Sequence, residues 1–421
     1  MESEILFERT HLFSPSINVA VMIDIKGRVD FIALEMAIAK AVSANEILHS
    51  RIQLDAEGRA FYCPMSKGRY SFCVSEESWE TVVVQQSKIS FDLESGELIR
   101  FFALPGKETI RLVIIAHHLA GDGLSIVFLV EDIMKSLAGK TLEEKPICLL
   151  SPSSLENVRF ASPLIRFMLN VLNRKWEQTG KVFSFSDYRR MFNHYWVDRQ
   201  LKVLCHTIQA EVLGKLVKYS KEWHLTLNSI LATICFKAEG KAMALGMAAS
   251  VRPEGYRGMG NYASGITIKY CYHYKKSFHE NALAVQKQIQ AKTGDKGKLY
   301  FLLRFLQALS PTLVDAAYFA AYDGYSNKTA SRMQAMFGYK GKPRQVGLSN
   351  LMRIPIEEKY GPYHLSSFCF VPPLVPNNSK ILGIATLGTK LELSLAVGEG
   401  EALAPGKAFF DRVIQELTEI Q

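Results

Sequence analysis

Cysteine is scarce in this chain and has no pairing pattern. Cys63, Cys73, Cys148, Cys205, Cys235, Cys271 and Cys369 are an odd set of 7 in 421 residues, with no C-x-x-C spacing. A disulfide scaffold or a zinc ribbon needs paired spacings, so both are excluded and no metal is expected. Runs such as Thr233-Ile234-Cys235-Phe236 read as buried, reduced thiols of a cytoplasmic protein. Long apolar runs are also missing. Tyr300–Leu309 is broken by Arg304 and Leu313–Ala321 by Asp315, and both fall short of the roughly 20 residues that span a bilayer. Met1-Glu2-Ser3-Glu4 is acidic and leads into no signal-type apolar run, so neither a secretory leader nor a membrane span is expected. No basic helix interleaved with aromatics is visible. The net charge of +9 therefore favours an acidic partner other than nucleic acid.

What is present is ample core material. The chain is 48% hydrophobic and 22% charged, ordinary for a folded protein and enough for two lobes. Ile17–Ile25 reads as a strand, and Asp30 caps a helix over Phe31–Ala44 with Leu34, Ala37, Ile38 and Ala41 on one face. A strand is expected from Ile47, and Thr109–Ala116 reads as a strand covered on both faces. Leu124–Leu137 follows as a helix. Residues 146–160 read as a connection and Leu164–Trp176 as a helix. Strands are expected over Met243–Val251, Ser264–Tyr272, Arg344–Leu348, Ser366–Val371, Ile381–Leu387 and Leu391–Val397, and a helix over Leu302–Tyr322 with a break at Pro311. Helices and strands alternate twice around a break near residues 150–180. The expectation is an α/β chain divided into 1–155, a connection over 156–185, and 186–421.

The chemistry lies between the strand ending at Ala116 and the following helix, in His117-His118-Leu119-Ala120-Gly121-Asp122-Gly123. Histidine accepts a proton near neutral pH, and loops at strand ends commonly carry catalytic groups. Asp122 can fix the loop by ion pairing or by capping the helix. Gly121 and Gly123 permit tight backbone whose N–H groups can face a developing oxyanion.

This run resembles the HHxxxDG motif of the superfamily of chloramphenicol acetyltransferase and peptide-synthetase condensation domains. Phe91-Asp92-Leu93 with Gly96, Leu98 and Arg100 is similar to the upstream element of condensation domains, and Gly27, Val29, Asp30 and Leu34 to their first helix. Arg252-Pro253 with Gly260-Asn261-Tyr262 resembles a further element of the family, and Ser349-Asn350-Leu351 one of its stand-alone alcohol acyltransferases. The resemblance implies two chloramphenicol-acetyltransferase-like lobes in a V-shaped pseudo-dimer with a central tunnel. It implies acyl transfer from a coenzyme A or carrier-protein phosphopantetheine thioester to a small or lipid-like hydroxyl or amine acceptor, with no permanently bound cofactor. His118 would be the general base, His117 its support, Asp122 a structural partner of an arginine, and Gly123 a space-keeper beside the thioester carbonyl. Ser349 and Asn350 would line the substrate tunnel or form a strand-end turn. Arg252 and Asn261 would be structural, Arg252 as an interlobe ion pair or a phosphate contact.

The sequence departs from the family at His49, where condensation domains carry arginine; Arg51 and Arg100 are the candidates for the partner of Asp122. The plant-type Asp-Phe-Gly-Trp-Gly element is missing, and Gly260-Asn261-Tyr262 lacks the ending usual in synthetase domains. These departures favour a stand-alone, monomeric O- or N-acyltransferase, and any carrier protein would act in trans. Lys340-Gly341-Lys342-Pro343-Arg344 could meet phosphates. A non-catalytic module of the same fold that binds a carrier protein or a partner enzyme is the alternative reading, and an epimerising or dehydrating variant a third.

Overall fold

The computed structural model describes residues 2–155, 158, 163–341, 345–398 and 403–420. Two six-stranded sheets organise them. The first runs in the order Lys359–Tyr360, Tyr363–Val371, Asn18–Lys26, Thr109–His117, Glu97–Pro105, Arg69–Val74. Thr109–His117, the motif strand, is interior: Asn18 pairs with His117 on one side and Ile99 with Ala116 on the other. Its residues Leu112 to Ala116 are all buried, because helices cover the sheet on both faces. Helix Gly123–Leu137 leaves directly from its end and packs on Phe31–Ser43, and Trp79–Ser87 packs on the strand itself. Asp30 caps Phe31–Ser43 by accepting from the Ala33 N–H at 2.6 Å, as its position predicts.

The second sheet runs Ala263–Tyr270, Met243–Ser250, Gln345–Arg353, Asn378–Leu387, Lys390–Gly398, Leu201–Ile208. Its own apolar core includes Ile230, Phe236, Leu245, Leu393 and Phe409, drawn from strands and from the helices Leu227–Glu239 and Leu403–Glu419.

The chain does not split cleanly between these sheets. Tyr363–Val371 pairs antiparallel with Asn18–Lys26 and so completes the first sheet from the far end of the sequence. Without it that strand would present an open row of N–H and C=O groups. Helices Phe301–Gln307, Pro311–Tyr322 and Lys328–Met336 also bury Phe305, Leu313, Phe319 and Met333 in the first core. The division at 156–185 expected from the sequence is thus crossed twice. The crossover strand is tied back to the second sheet, with Ser367 donating to Glu392 Oε1 at 3.1 Å and Ser394 to the Phe370 carbonyl at 2.5 Å.

Most strands lie where their apolar patterns put them. The expected helix over 302–322 divides at Pro311, which opens the second piece at its first turn, where the missing N–H costs nothing. The strand expected from Ile47 begins later, at Ser50, after one 3-10 turn over Glu46–His49. Helices Arg9–Leu12, Trp79–Ser87, Phe185–Val197 and Lys328–Met336 were not anticipated. Phe185–Val197 carries a capping box at Ser184 and Asp187 that is legible in the sequence. Burial was overestimated for the thiols, since Cys73, Cys148 and Cys271 are exposed. Among the described residues no helix is long and apolar enough to cross a membrane.

Candidate active site

The loop between the motif strand and its helix meets a segment of the second lobe, and the two are joined by side chains and backbone together. Asp122 caps helix Gly123–Leu137 by accepting from the Ser125 N–H at 2.9 Å. Its second oxygen accepts from the Tyr262 N–H at 2.9 Å, while its own N–H donates to the Gly260 carbonyl at 3.1 Å. Arg252 Nη2 donates to Asp122 Oδ1 at 2.7 Å, and both side chains are over 90% buried. The same guanidinium donates to Gly258 O at 2.9 Å and covers the Tyr262 ring at 4.4 Å. The partner of Asp122 is therefore Arg252 and neither Arg51 nor Arg100. Arg51 points outward to Gln53, and Arg100 is bound to Glu97 at 2.8 Å. This partner comes from 130 residues away across the lobe junction, so nothing near the motif in sequence marks it. Arg252 takes the interlobe ion-pair role rather than the phosphate one.

Close approach explains two glycines. A Cβ on Gly121 would stand 2.5 Å from Ser125 Cβ and 3.1 Å from Gly260 N; one on Gly260, at φ 145°, would stand 2.8 Å from the Tyr262 ring. Side chains at either place would push the segments apart.

Asn261 reaches from this segment to His118. Its Nδ2 donates to the His118 carbonyl at 2.7 Å and its Oδ1 lies 2.6 Å from His118 Nδ1. The pair fixes the tautomer. A carbonyl only accepts, so the amide nitrogen must face it; Oδ1 then only accepts, so Nδ1 must carry the ring proton. Nε2 is left with its lone pair, as a general base requires. Burial holds His118 below the ordinary imidazole value, and the Asp122 charge and the Asn261 bond oppose this without cancelling it. His118 is half-buried and neutral at pH 7. Asn261, expected only as a structural residue, is the group that orients the candidate base.

His117 points the other way. Its Nδ1 accepts from the Leu119 N–H at 3.2 Å and its Nε2 is buried without a partner among the described residues. Burial, with the charges at His118 and Arg100, pushes it down to about 3, so it supports the loop as a neutral ring. Phe91 meets it edge-on at 5.7 Å, and Arg100 lies over Phe91 at 4.0 Å while bonding Ser90 O and Ile89 O. The upstream element thus buttresses the motif from behind.

Other expected site residues are not drawn to His118 in the same way. Gly123 does give close approach, but to side chains: a Cβ there would meet Leu351 Cδ2 at 2.8 Å and Phe370 Cε2 at 2.9 Å. Asn350 donates to Asn228 Oδ1 at 2.8 Å and accepts from the Met352 N–H at 2.8 Å, at a bulge inside strand Gln345–Arg353 rather than at a strand end. Ser349 is half-buried in the strand paired to Gly383. Lys340 is exposed, and Lys342, Pro343 and Arg344 lie outside the described residues. Large cavities of about 810 and 570 Å³ lie elsewhere, beside Lys241 and Tyr270 and beside Tyr195 and Arg199.

One residue of the site had no signal in the sequence. His11, on the short helix Arg9–Leu12, lies face to face with His118, ring centroids 4.3 Å apart and planes 12° from parallel.

The Condensation domain family model matches residues 5–148. No curated protein matches the sequence. Solved structures match the whole chain in fold. Trichothecene 15-O-acetyltransferase from Fusarium sporotrichioides aligns at TM-score 0.67 and 10% identity over 100% of this chain and 95% of its own. The epimerization domain from the third module of tyrocidine synthetase B aligns at 0.64 and 15% over 100% and 97%. The first condensation domain of the calcium-dependent antibiotic synthetase aligns at 0.64 and 12% over 99% and 96%. The two sheet-rich α/β lobes therefore share the fold of condensation domains and of that acetyltransferase over the whole chain.

Proposed function

Because the chain carries the condensation-domain fold over its whole length, we propose that it is an acyltransferase working on a thioester donor. The observation that carries this is the pair of Asn261 bonds that leaves His118 Nε2 unprotonated and neutral. Nε2 takes the proton of an acceptor hydroxyl or amine as the acceptor attacks the thioester carbonyl. The tetrahedral intermediate then collapses, expelling the thiolate, which recovers the proton from His118. Holding acceptor and thioester together at Nε2 makes the attack effectively intramolecular and needs no covalent enzyme intermediate. The donor is a coenzyme A or carrier-protein thioester entering a tunnel between the lobes, and the acceptor a small or lipid-like molecule. The net charge of +9 suits either donor, and the protein acts in the cytoplasm as a monomer.

The test is free-thiol release from a panel of acyl thioesters with hydroxyl and amine acceptors. His118→Ala should lower turnover by about 10²- to 10⁴-fold, the usual contribution of a general base. Full turnover in that variant sinks the assignment. A second reading, a non-catalytic module that docks a carrier protein, is favoured by the filling of the space beside Gly123 by Leu351 and Phe370. Carrier capture without turnover on any donor would select it.

A further inference from the structure

The proposed proton transfer uses His118 and leaves unexplained the second imidazole lying flat against it. His11 is held there firmly. Arg9 forms a buried bidentate ion pair with Asp315 of helix Pro311–Tyr322, Tyr318 of that helix donates to the Thr10 carbonyl at 2.7 Å, and Leu12 is fully buried. Arg9 and Thr10 are thus fixed by helix Pro311–Tyr322 and Leu12 by burial, and between them His11 stacks parallel on His118 at 4.3 Å. His11 Nδ1 is buried and has no partner among the described residues, so no hydrogen bond through that atom sets the ring's orientation.

The titratable and charged groups around His118 come from several elements. His117 and Asp122 belong to its own loop, Asn261 comes from the second lobe with Arg252 behind Asp122, and His11 comes from the N-terminal helix. Tyr62 donates to the Leu119 carbonyl from strand Ala60–Pro64, and buried Glu8 lies one turn before His11. Arg100 stands behind His117. Within this set, His11 presents an aromatic face to the His118 ring plane.

Resting on the acyl-transfer reading, we propose that His11 is a positioning residue: a neutral aromatic platform that holds the His118 ring and stabilises the imidazolium it becomes when it takes the acceptor proton. A π face attracts a cation placed over it, and a stack formed with a ring that charges only during the reaction is stronger at that moment than before it. Burial and the charges at His118 and His117 keep His11 itself from taking the proton.

Two substitutions separate the face from the volume. His11→Phe retains an aromatic ring, and His11→Leu fills the space without one. NMR titration of the His118 imidazole, assigned by comparison with His118→Gln, reads the stack without any substrate. For His11→Leu the expected result is a fall in the His118 pKa by about 0.5 to 1.5 units, with kcat lower by roughly 3- to 30-fold and KM little changed. His11→Phe should stay within about threefold of wild type in kcat and near it in titration. If the leucine variant titrates like wild type, or the phenylalanine variant falls as far as leucine, the platform role is overturned. Should wild type turn over no thioester, the acyl-transfer reading falls, and the titration still decides whether His11 stabilises the His118 cation.

Discussion

Replacing Asn261 by alanine removes both bonds that tie His118 to the second lobe, at 2.6 Å to the ring and 2.7 Å to the carbonyl. The effect on rate follows from what the ring bond does as charge develops. A hydrogen bond between neutral groups contributes about 1 kcal/mol, and one to a charged group about 1.5 to 3. The Nδ1–H bond to Oδ1 therefore strengthens by roughly 1 to 2 kcal/mol when His118 becomes imidazolium, and only this difference accelerates the reaction. Its loss should lower kcat about 5- to 30-fold with KM nearly constant. Because the Asn261 bond raises the His118 pKa, the acid limb of the kcat/KM profile should move to lower pH in Asn261→Ala. In Asn261→Asp a carboxylate replaces the amide oxygen beside Nδ1, and the limb should move up by about 1 to 3 units. Steady-state kinetics by thiol release between pH 5 and pH 9 (roughly the range in which imidazole titrates) reads both. An alanine variant that loses activity through KM alone, or two variants whose limbs move the same way, would refute the tautomer argument.

The remaining predictions concern stability. Asp122→Ala and Arg252→Ala each strand a buried charge, and urea denaturation should show losses of about 3 to 5 kcal/mol for either, with the double variant well short of their sum. Gly121→Ala should lower stability by about 1 to 3 kcal/mol, because its Cβ would overlap Ser125; unchanged denaturation would show that the loop yields freely. Glu8 is pushed up to about 7 by burial and its Oε1 has no partner among the described residues. Its folded value lies above the ordinary 4.5, so ionisation penalises the folded chain increasingly as pH rises from 4.5 to 7. Glu8→Gln should gain on wild type by about 3 kcal/mol between pH 4.5 and pH 8, and a pH-independent difference would show that Glu8 is ionised in the fold.

Apolar patterning made the sheets legible. The unbroken run Leu112 to Ala116 could only be an interior strand, and Asp30 and Pro311 mark helix starts for local reasons that tertiary packing did not override. Local pattern says nothing of which sheet a strand joins, so Tyr363–Val371 is legible as a strand and not as a member of the first sheet. The same limit applied to the site. His118 was visible because its neighbours in sequence form a motif. Its working partners are 107 and 143 residues away, at His11 and Asn261, and neither residue type carries a signal by itself. Arg51 and Arg100 were offered to Asp122 because they lie nearby in the chain, whereas burial made a cross-lobe arginine the available partner.

The bonds that dock the lobes and the bonds that orient His118, the proposed base, are one set. Asp122 caps its helix, accepts from Tyr262 and pairs with Arg252; Ser125 bonds the Gly260 carbonyl at 2.6 Å; and Asn261, the residue between Gly260 and Tyr262, holds His118. Asn261 cannot shift without moving a backbone that is bonded on both sides of it to the motif loop. Tautomer and ring direction at His118 are thereby fixed by lobe docking, a buried and cooperative arrangement, rather than by any flexible side chain of the loop itself. Under the proposed acyl transfer, Asp122 would serve the chemistry through this docking without itself carrying a proton. Its charge is paired with Arg252, and it acts on His118 through position and by opposing the lowering of the imidazole pKa by burial.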